Sequence, residues 1–540
     1  VDEHLIERSV NRLKVGVIEL LAHSVDTPYL RGRAIAPATA SVMPQAVAAW
    51  AEELGCDVHY AVWSSREDLL GLLPDDRQVV FIAAFTRASF VAYALSRTLR
   101  AAGVVTVLGG PHAHSFPEHA RDHFDYICQV TDRALIADLL AAPERQARGV
   151  VLNAASGEGP SDLPGVAQRE RFIDHCIVKG SRRLRVVPVL GSLGCPYTCS
   201  FCVDAPTQWR GMPIAPLITD LRHIERRWGA GTVVGWHDPN FGVRFDDYLG
   251  AIEQSATRLI HGGHMSLSLM KGANARRLGQ ARFGLLIPGI ESWFEFSDKS
   301  GGARLVGEAK VRQVAETLNG IQSQVEHIQA NMIVGLDSDE GELPFLLSKQ
   351  LADLAPGICP TYFLVTNFYN APLSRALHAS GRTMAVPFPL LDTNGFGNVR
   401  PLHYSAAALY DRLIELYRHA YSWRATMRRT RATAGRWGKL INFTRSVDEG
   451  RGFIDLHRRT RARMDSDREL RDFYEGERIP PPRSFMNDVK EQLGRYAPLL
   501  PESSFSPERF AESFQASAEA SLATLRPAVG GAGSKLRAIS

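Results

Sequence analysis

Along residues 14–145 the apolar positions fall into short continuous runs, separated by stretches in which they recur at helical spacing. Val15–Leu21, Val58–Trp63, Val79–Ala84, Val104–Leu108 and Tyr126–Cys128 read as strands. Between them, Pro44–Leu54 (Val47, Trp50 and Leu54 on one face), Glu67–Leu73, Phe90–Ala102 and Arg133–Ala141 read as helices. Gly55 and Gly103 stand where a helix C-terminus favours glycine. Strand and helix alternating over short connections predict an α/β domain with a doubly wound parallel sheet, covered on both faces. In such a sheet a ligand lies beyond the carboxyl ends of the strands, where Gly109-Gly-Pro-His-Ala-His114 is found. Taken alone, that segment is also an ordinary turn.

Residues 146–183, spotted with Gly, Ser and Pro, read as a linker. The alternation resumes over 184–395 with six apolar segments: Val186–Leu190, Thr232–Trp236, Met265–Met270, Leu285–Pro288, Ala330–Gly335 and Thr361–Val365. Ile214–Trp228 and Val311–Gln324 are helices among them, so a second α/β domain is expected. Residues 396–500 read as a mostly helical C-terminal domain, and 501–540, rich in Ala, Ser and Gly, as a partly disordered tail. The run 424–436 holds five arginines and no acid, a pattern of either a solvated helix face or an anion-binding surface.

Composition narrows this little. With 540 residues, 45% hydrophobic, 22% charged and a formal net charge of +4, the chain can fill several cores and carries no dominant field for nucleic acid or a membrane. No apolar run is long enough to cross a bilayer, and Val1–Glu7 has no signal pattern, so a cytoplasmic protein is expected. Four of the seven cysteines, Cys56, Cys128, Cys176 and Cys359, are scattered and read as buried free thiols.

The other three are Cys195, Cys199 and Cys202, in Gly191-Ser-Leu-Gly-Cys-Pro-Tyr-Thr-Cys-Ser-Phe-Cys-Val203, on a loop after the Val186–Leu190 strand. A C-x3-C-x2-C run supplies three thiolates rather than four, leaving an open position on the metal centre it holds. A zinc knuckle completed by His175 or Cys176 is the alternative from another class, a zinc-stapled ligand-binding protein.

The spacing, with Phe201 before the last cysteine, resembles the cluster motif of radical S-adenosylmethionine (SAM) enzymes. Leu108–Ala113 resembles the Leu-Gly-Gly-Pro-His-Ala stretch of the cobalamin-binding domain that precedes the cobalamin-dependent branch of that family. Gln129–Asp132 departs from that domain's Gly-Glu-Gly-Glu, and Asp57-Val-His59 lacks the glycine of the motif that gives cobalt a histidine, so Asp57 and His59 read as plain strand residues. The resemblance implies a flavodoxin-like cobalamin-binding domain over 14–145 and a partial (β/α)6 radical SAM barrel over 184–395. The implied cofactors are a [4Fe-4S] cluster on Cys195, Cys199 and Cys202, SAM, and cobalamin held without a histidine from this chain.

Trp236–Gly242, Pro288–Ser292 and Val334–Asp339 follow later strands and resemble the family's SAM-binding segments. The residues so implied are Phe201, Asp238, Asn240, Glu291, Ser292 and Gly335 for SAM, and Thr86, Gly109, Gly110, Pro111 and His112 for cobalamin. Asp-Pro-Asn at 238–240 also makes an Asx turn unaided, and the acids after Val334 can equally cap a helix. Tyr362, Asn367, Phe368 and Tyr369 either face the substrate or belong to the core. No acid or base is singled out, because the cofactors carry the hard step.

The implied reaction is reductive cleavage of SAM to a 5′-deoxyadenosyl radical, with methyl transfer to an unactivated carbon of a small molecule, natural product or lipid. Cyclisation, ring contraction or rearrangement is the alternative. A one-electron donor such as flavodoxin or ferredoxin is the implied partner.

Overall fold

The computed structural model describes residues 12–26, 36–157, 159–181, 183–296 and 305–525. The signal-pattern reading at residues 1–7 lies outside them.

The first sheet has six parallel strands: β1 (Lys14–Leu20), β2 (Asp57–Trp63), β3 (Val79–Ala84), β4 (Val105–Gly109), β5 (Tyr126–Val130) and β6 (Val150–Asn153). Their order is β2-β1-β3-β4-β5-β6. The first five follow the flavodoxin-like arrangement, whose strand order reverses between β1 and β3, so a crevice opens there at the carboxyl ends. Apolar residues point to both faces, as a sheet covered on both sides requires. Val15, Val17, Val58, Phe81 and Val107 pack under the helices Val42–Glu53, Arg133–Ala141 and Val166–Lys179. Ile18, Trp63 and Ile82 pack on the other side, with the helix Ser89–Ala101.

The second sheet is β7 (Val186–Val189), β10 (Val233–Trp236), β11 (Ile260–Ser266), β12 (Phe283–Glu291), β13 (His327–Val334) and β14 (Cys359–Leu364), all parallel and neighbours in chain order. Helices lie between successive strands. β8 (Ser192–Leu193) and β9 (Arg210–Gly211) form a short antiparallel ladder that closes the base of the cysteine loop. From Leu286 along β12 and from Ile328 along β13 the even positions are buried, while Leu285, Ile287, Gly289, Glu291, Gln329, Asn331 and Ile333 keep exposure on the other face. This period of two separates a face under the helices from a face lining an open lumen.

Three expectations need correction. The stretch read as a linker, 146–183, contains β6, paired with β5, and the helix Val166–Lys179. Buried Arg169 of that helix donates to Gln45 Oε1 and to the Pro188 carbonyl of β7, tying the two sheets together. The tail read as partly disordered holds the helix Pro507–Thr524, whose Phe510 and Phe514 rings lie 5.2 and 6.1 Å from Phe388; 526–540 lie outside the described residues. Glu67–Leu73 is turn rather than helix, held from outside by the Tyr496 hydroxyl, which accepts the Leu69 N–H at 2.9 Å.

The helical region expected over 396–500 is present, as Ala406–Ala420, Trp423–Ala432, Arg436–Ser466, Arg468–Glu475 and Arg483–Leu493. No helix among the described residues is long and apolar enough to cross a membrane.

Candidate active site: two adjoining cavities

Cys195, Cys199 and Cys202, each half-buried, line one cavity together with Tyr197, the loop residues Pro239 and Asn240 after β10, His264–Ser266 of β11, Gly289 and Glu291 of β12, and Asn331 of β13. Its empty space, counted out to the open mouth, is about 560 Å³. The strands contribute their carboxyl ends, where parallel (β/α) architectures keep their chemistry.

The cysteine loop is built to hold its shape. Gly194 has φ +64°, and a Cβ there would stand 2.6 Å from the Thr207 carbonyl oxygen, so only glycine lets the strands of the loop close. Beneath it, Asp238 accepts the Gly191 N–H at 2.9 Å and the hydroxyls of Ser192 and Tyr248 at 2.6 and 2.8 Å. Burial pushes this carboxyl up, against the lowering effect of the three donors. From above, the Leu373 N–H donates to the Ser200 carbonyl at 2.7 Å, and Phe201 packs edge-on to Phe296.

Glu291 has a left-handed backbone, φ +66°, at a break in the β12–β13 register. A bulge re-aims a side chain, and strain of this kind gathers at functional sites. Gly289 makes room for it, because a Cβ there would lie 2.0 Å from Glu291 Oε1. Asn240 donates to Ser266 Oγ at 2.8 Å, and Asn331 accepts from Gln329 at 2.9 Å, so these amides enter the cavity already oriented.

The residues singled out for SAM therefore divide. Asn240 and Glu291 line the cavity with the cysteines, whereas Asp238 braces the loop. Ser292 caps its own turn, its hydroxyl accepting the N–H groups of Phe294 and Glu295. Gly335 donates its N–H to Asp339, which buttresses its own turn and is pushed by burial up to about 6. Tyr362, Asn367 and Tyr369 are buried; Asn367 accepts from Ser374 and the Tyr369 N–H, bracing the loop after β14.

His264, Ser266 and Asn331 escaped the sequence reading. The signal was present in the alternation His327, Gln329, Asn331 along β13, which a reading of apolar runs passes over. His175 and Cys176, offered as a fourth zinc ligand, belong elsewhere: the Cys176 thiol lies 3.7 Å from Tyr60 Oη in the core of the first sheet, and His175 packs edge-on to Tyr60.

A second cleft, of about 970 Å³ including its open mouth, begins one residue further along. Val203, next to Cys202, forms part of its wall with Phe368, Asn370 and Leu391–Thr393. The opposite wall is the reversal point of the first sheet: Leu20–His23 after β1, Phe85–Ala88 after β3, and Pro111 and Ser115 after β4. Thr86 and Pro111, two of the residues singled out for cobalamin, line this cleft. A Cβ at Gly109 would meet nothing within 4 Å, and Gly110 packs against the Ala84 backbone.

His112 does not reach the cleft. It is fully buried, 2.6 Å from the Tyr93 hydroxyl, and packs against Phe116 and Phe388. On the rim, His23 Nε2 lies 2.7 Å from the Arg87 guanidinium, which also pairs with Asp392 at 2.6 Å across the two sheets. Burial, with Arg87 adding to it, lowers His23 to about 3.

No family model matches the chain. It is 22% identical over 271 residues to the bacteriochlorophyllide d C-12(1)-methyltransferase of Chlorobaculum tepidum, a match covering 48% of this chain and spanning 57% of that relative's length. Among solved structures it is similar to the radical SAM methyltransferase TsrM from Kitasatospora setae, with tryptophan and a SAM analogue bound. The TM-score is 0.54 at 12% identity, over 83% of this chain and 100% of that one. It is also similar to the cobalamin-dependent SAM radical enzyme OxsB with aqua-cobalamin bound, with a TM-score of 0.53 at 11% identity, over 95% and 80%. The chain has the fold of cobalamin-dependent radical SAM enzymes.

Proposed function

We propose that this chain is a cobalamin-dependent radical SAM enzyme that transfers a methyl group to a small molecule. The observation that carries the proposal is the pair of adjoining cavities: three thiols open into one, the reversal point of a flavodoxin-like sheet opens into the other, and consecutive residues, Cys202 and Val203, wall them. The donor set fits the cofactors. Three cysteines leave a cluster one open iron, and the largely apolar second cleft lies where this sheet topology holds its ligand.

Cys195, Cys199 and Cys202 would hold a [4Fe-4S] cluster, with Asn240, Ser266, Glu291 and Asn331 toward SAM and Thr86, Pro111 and Val203 toward cobalamin. Bound there, the cluster would supply an electron and the corrinoid a methyl-transfer centre. The chain's own residues do the positioning. The carboxylate of Glu291 accepts from an ammonium or hydroxyl donor, and the oriented amides of Asn240 and Asn331 fix polar ends of the same ligand. Arg87 donates to the His23 imidazole from the cleft rim, leaving that nitrogen engaged within the protein. A natural product or lipid is the proposed substrate class, the cytoplasm its setting and an external one-electron donor its reductant.

Reconstitution with iron, sulfide and hydroxocobalamin under nitrogen, followed by desalting, tests the reading. About four irons and a retained corrinoid spectrum are expected; one zinc and no corrinoid would contradict it. With deuterated methyl-SAM, label in the product marks methyl transfer, and a rearranged product without label marks the cyclising chemistry instead.

A further inference from the structure

The basic stretch has no part in either cavity. From Leu416 to Val447 the chain holds eight Lys or Arg residues and no Asp or Glu. The structure divides them. Arg429 is buried, donating to Ser446 Oγ at 2.7 Å and the Ala420 carbonyl at 2.8 Å, with the Tyr421 ring beneath its guanidinium. Arg428 pairs with Asp353, and Arg445 with Glu449. Arg418, Arg424, Arg431, Arg436 and Lys439 are exposed and form no ion pair among the described residues.

Apolar side chains stand out from the same surface. Trp423 and Trp437 are 65% and 70% exposed, Leu440 50% and Ile441 46%. Trp437, Leu440 and Ile441 share one face of the first two turns of the helix Arg436–Ser466, at i, i+3 and i+4. Trp423, at the start of the preceding helix, joins them through Phe443, whose ring meets it edge-on at 6.1 Å. The patch is a ridge of two packed helices rather than a groove, and Asp448 marks its far end.

We propose that this ridge docks on the surface of a lipid bilayer containing anionic headgroups. Indole rings favour the headgroup level, Leu and Ile the acyl boundary just below, and arginine or lysine beside them the lipid phosphates. The charge pattern argues against a second copy, since a two-fold interface through this face would set its cations against the same cations. It is also the wrong place for an acidic electron carrier. The helix start packs on Glu326, just before β13, and Arg429 donates to the Ile358 carbonyl, just before β14, so the ridge lies at the amino ends of these strands. The eight residues of β13, at about 3.3 Å each, put it roughly 25 Å from the cysteine end. Docking thus leaves the mouth of the cysteine cavity facing away from the membrane.

Co-sedimentation of the full-length chain tests this, using vesicles of phosphatidylcholine alone and of phosphatidylcholine mixed with phosphatidylserine. Binding to the mixed vesicles only, weakened by salt and accompanied by a blue shift of tryptophan emission, is expected. At about fivefold per basic residue, R424A/R431A/R436A/K439A should lower partitioning on the order of 600-fold. W423S/W437S should abolish the blue shift while the far-UV circular dichroism of both variants stays that of the parent. Absence of binding to mixed vesicles, equal binding by parent and quadruple variant, or a dimer in solution that W437S dissociates would each overturn the proposal.

Discussion

Removing the Asp238 carboxylate tests how the cysteine loop is held. In a site without solvent exposure it accepts one backbone N–H, from Gly191, and two hydroxyls, from Ser192 and Tyr248. In D238A the hydroxyls can turn to other acceptors, but the Gly191 amide cannot. An orphaned buried donor costs about 1–3 kcal/mol, and hydrogen bonds to a charged acceptor contribute about 1.5–3 kcal/mol each. We expect a local loss of about 3 kcal/mol, which at about 1.4 kcal/mol per tenfold raises the open population of the loop on the order of 100-fold. D238N should lose only about 1 kcal/mol, since its amide oxygen can face Gly191 while its NH2 group donates to the two hydroxyls. Hydrogen exchange at residues 191–194, read by mass spectrometry on the cluster-free chain, measures the opening, and iron retained after reconstitution measures its consequence. Unchanged exchange in D238A, or exchange in D238N as fast as in D238A, would refute the brace.

The remaining predictions concern other parts of the same frame. G289A sets a methyl group against the Glu291 carboxylate and should weaken SAM binding, measured by equilibrium dialysis, while leaving the iron content unchanged; unaltered affinity would remove Glu291 from the site. V203W fills the second cleft and should lower corrinoid retention with cluster content intact, and retention equal to the parent's would place the corrinoid elsewhere. Because burial raises Asp339 to about 6, the folded chain binds its proton more tightly than the unfolded chain does. The stability contributed by that proton is full below about pH 4 and is lost as pH rises through about 6. D339N should therefore match the parent in urea denaturation at low pH and exceed it by about 1–2 kcal/mol at neutral pH, and a gap independent of pH would contradict this. R429A should cost about 3 kcal/mol by orphaning buried acceptors, against less than about 0.5 kcal/mol for exposed R431A; equal effects would erase the division of the basic stretch.

Both parallel sheets were legible because most of their strands are apolar runs of the length a buried strand needs, punctuated by glycine and proline. β11, whose Ile260–Ser266 holds His261, Gly262, Gly263 and His264, is not such a run; its strand was expected at Met265–Met270, where a 3-10 turn, Leu267–Leu269, follows it instead. β6 was hidden because Val150–Asn153 is only four residues long and half-exposed, set among turn formers. The helix Pro507–Thr524 was hidden because alanine and serine fill it; a few side chains such as Phe510, Phe514 and Ala518 carry its packing. In the site, a motif fixes where a residue stands along the chain but not the direction of its side chain. Asp238 and Asn240 are two residues apart, yet one turns down to brace the loop and the other lines the cavity. His112 belongs to the segment that borders the second cleft, and its ring turns instead into a buried cluster with Tyr93. The lumen-facing polar residues were recoverable from the period of two in β13, had its polar positions been weighed as well as its apolar ones.

The measurement closest to the central claim is electron paramagnetic resonance of the reduced, reconstituted chain before and after SAM is added, with C199A beside it. A [4Fe-4S] signal that changes when SAM is added is expected, with loss of both signal and response in C199A. A parent signal indifferent to SAM, or a C199A variant that still responds, would contradict it.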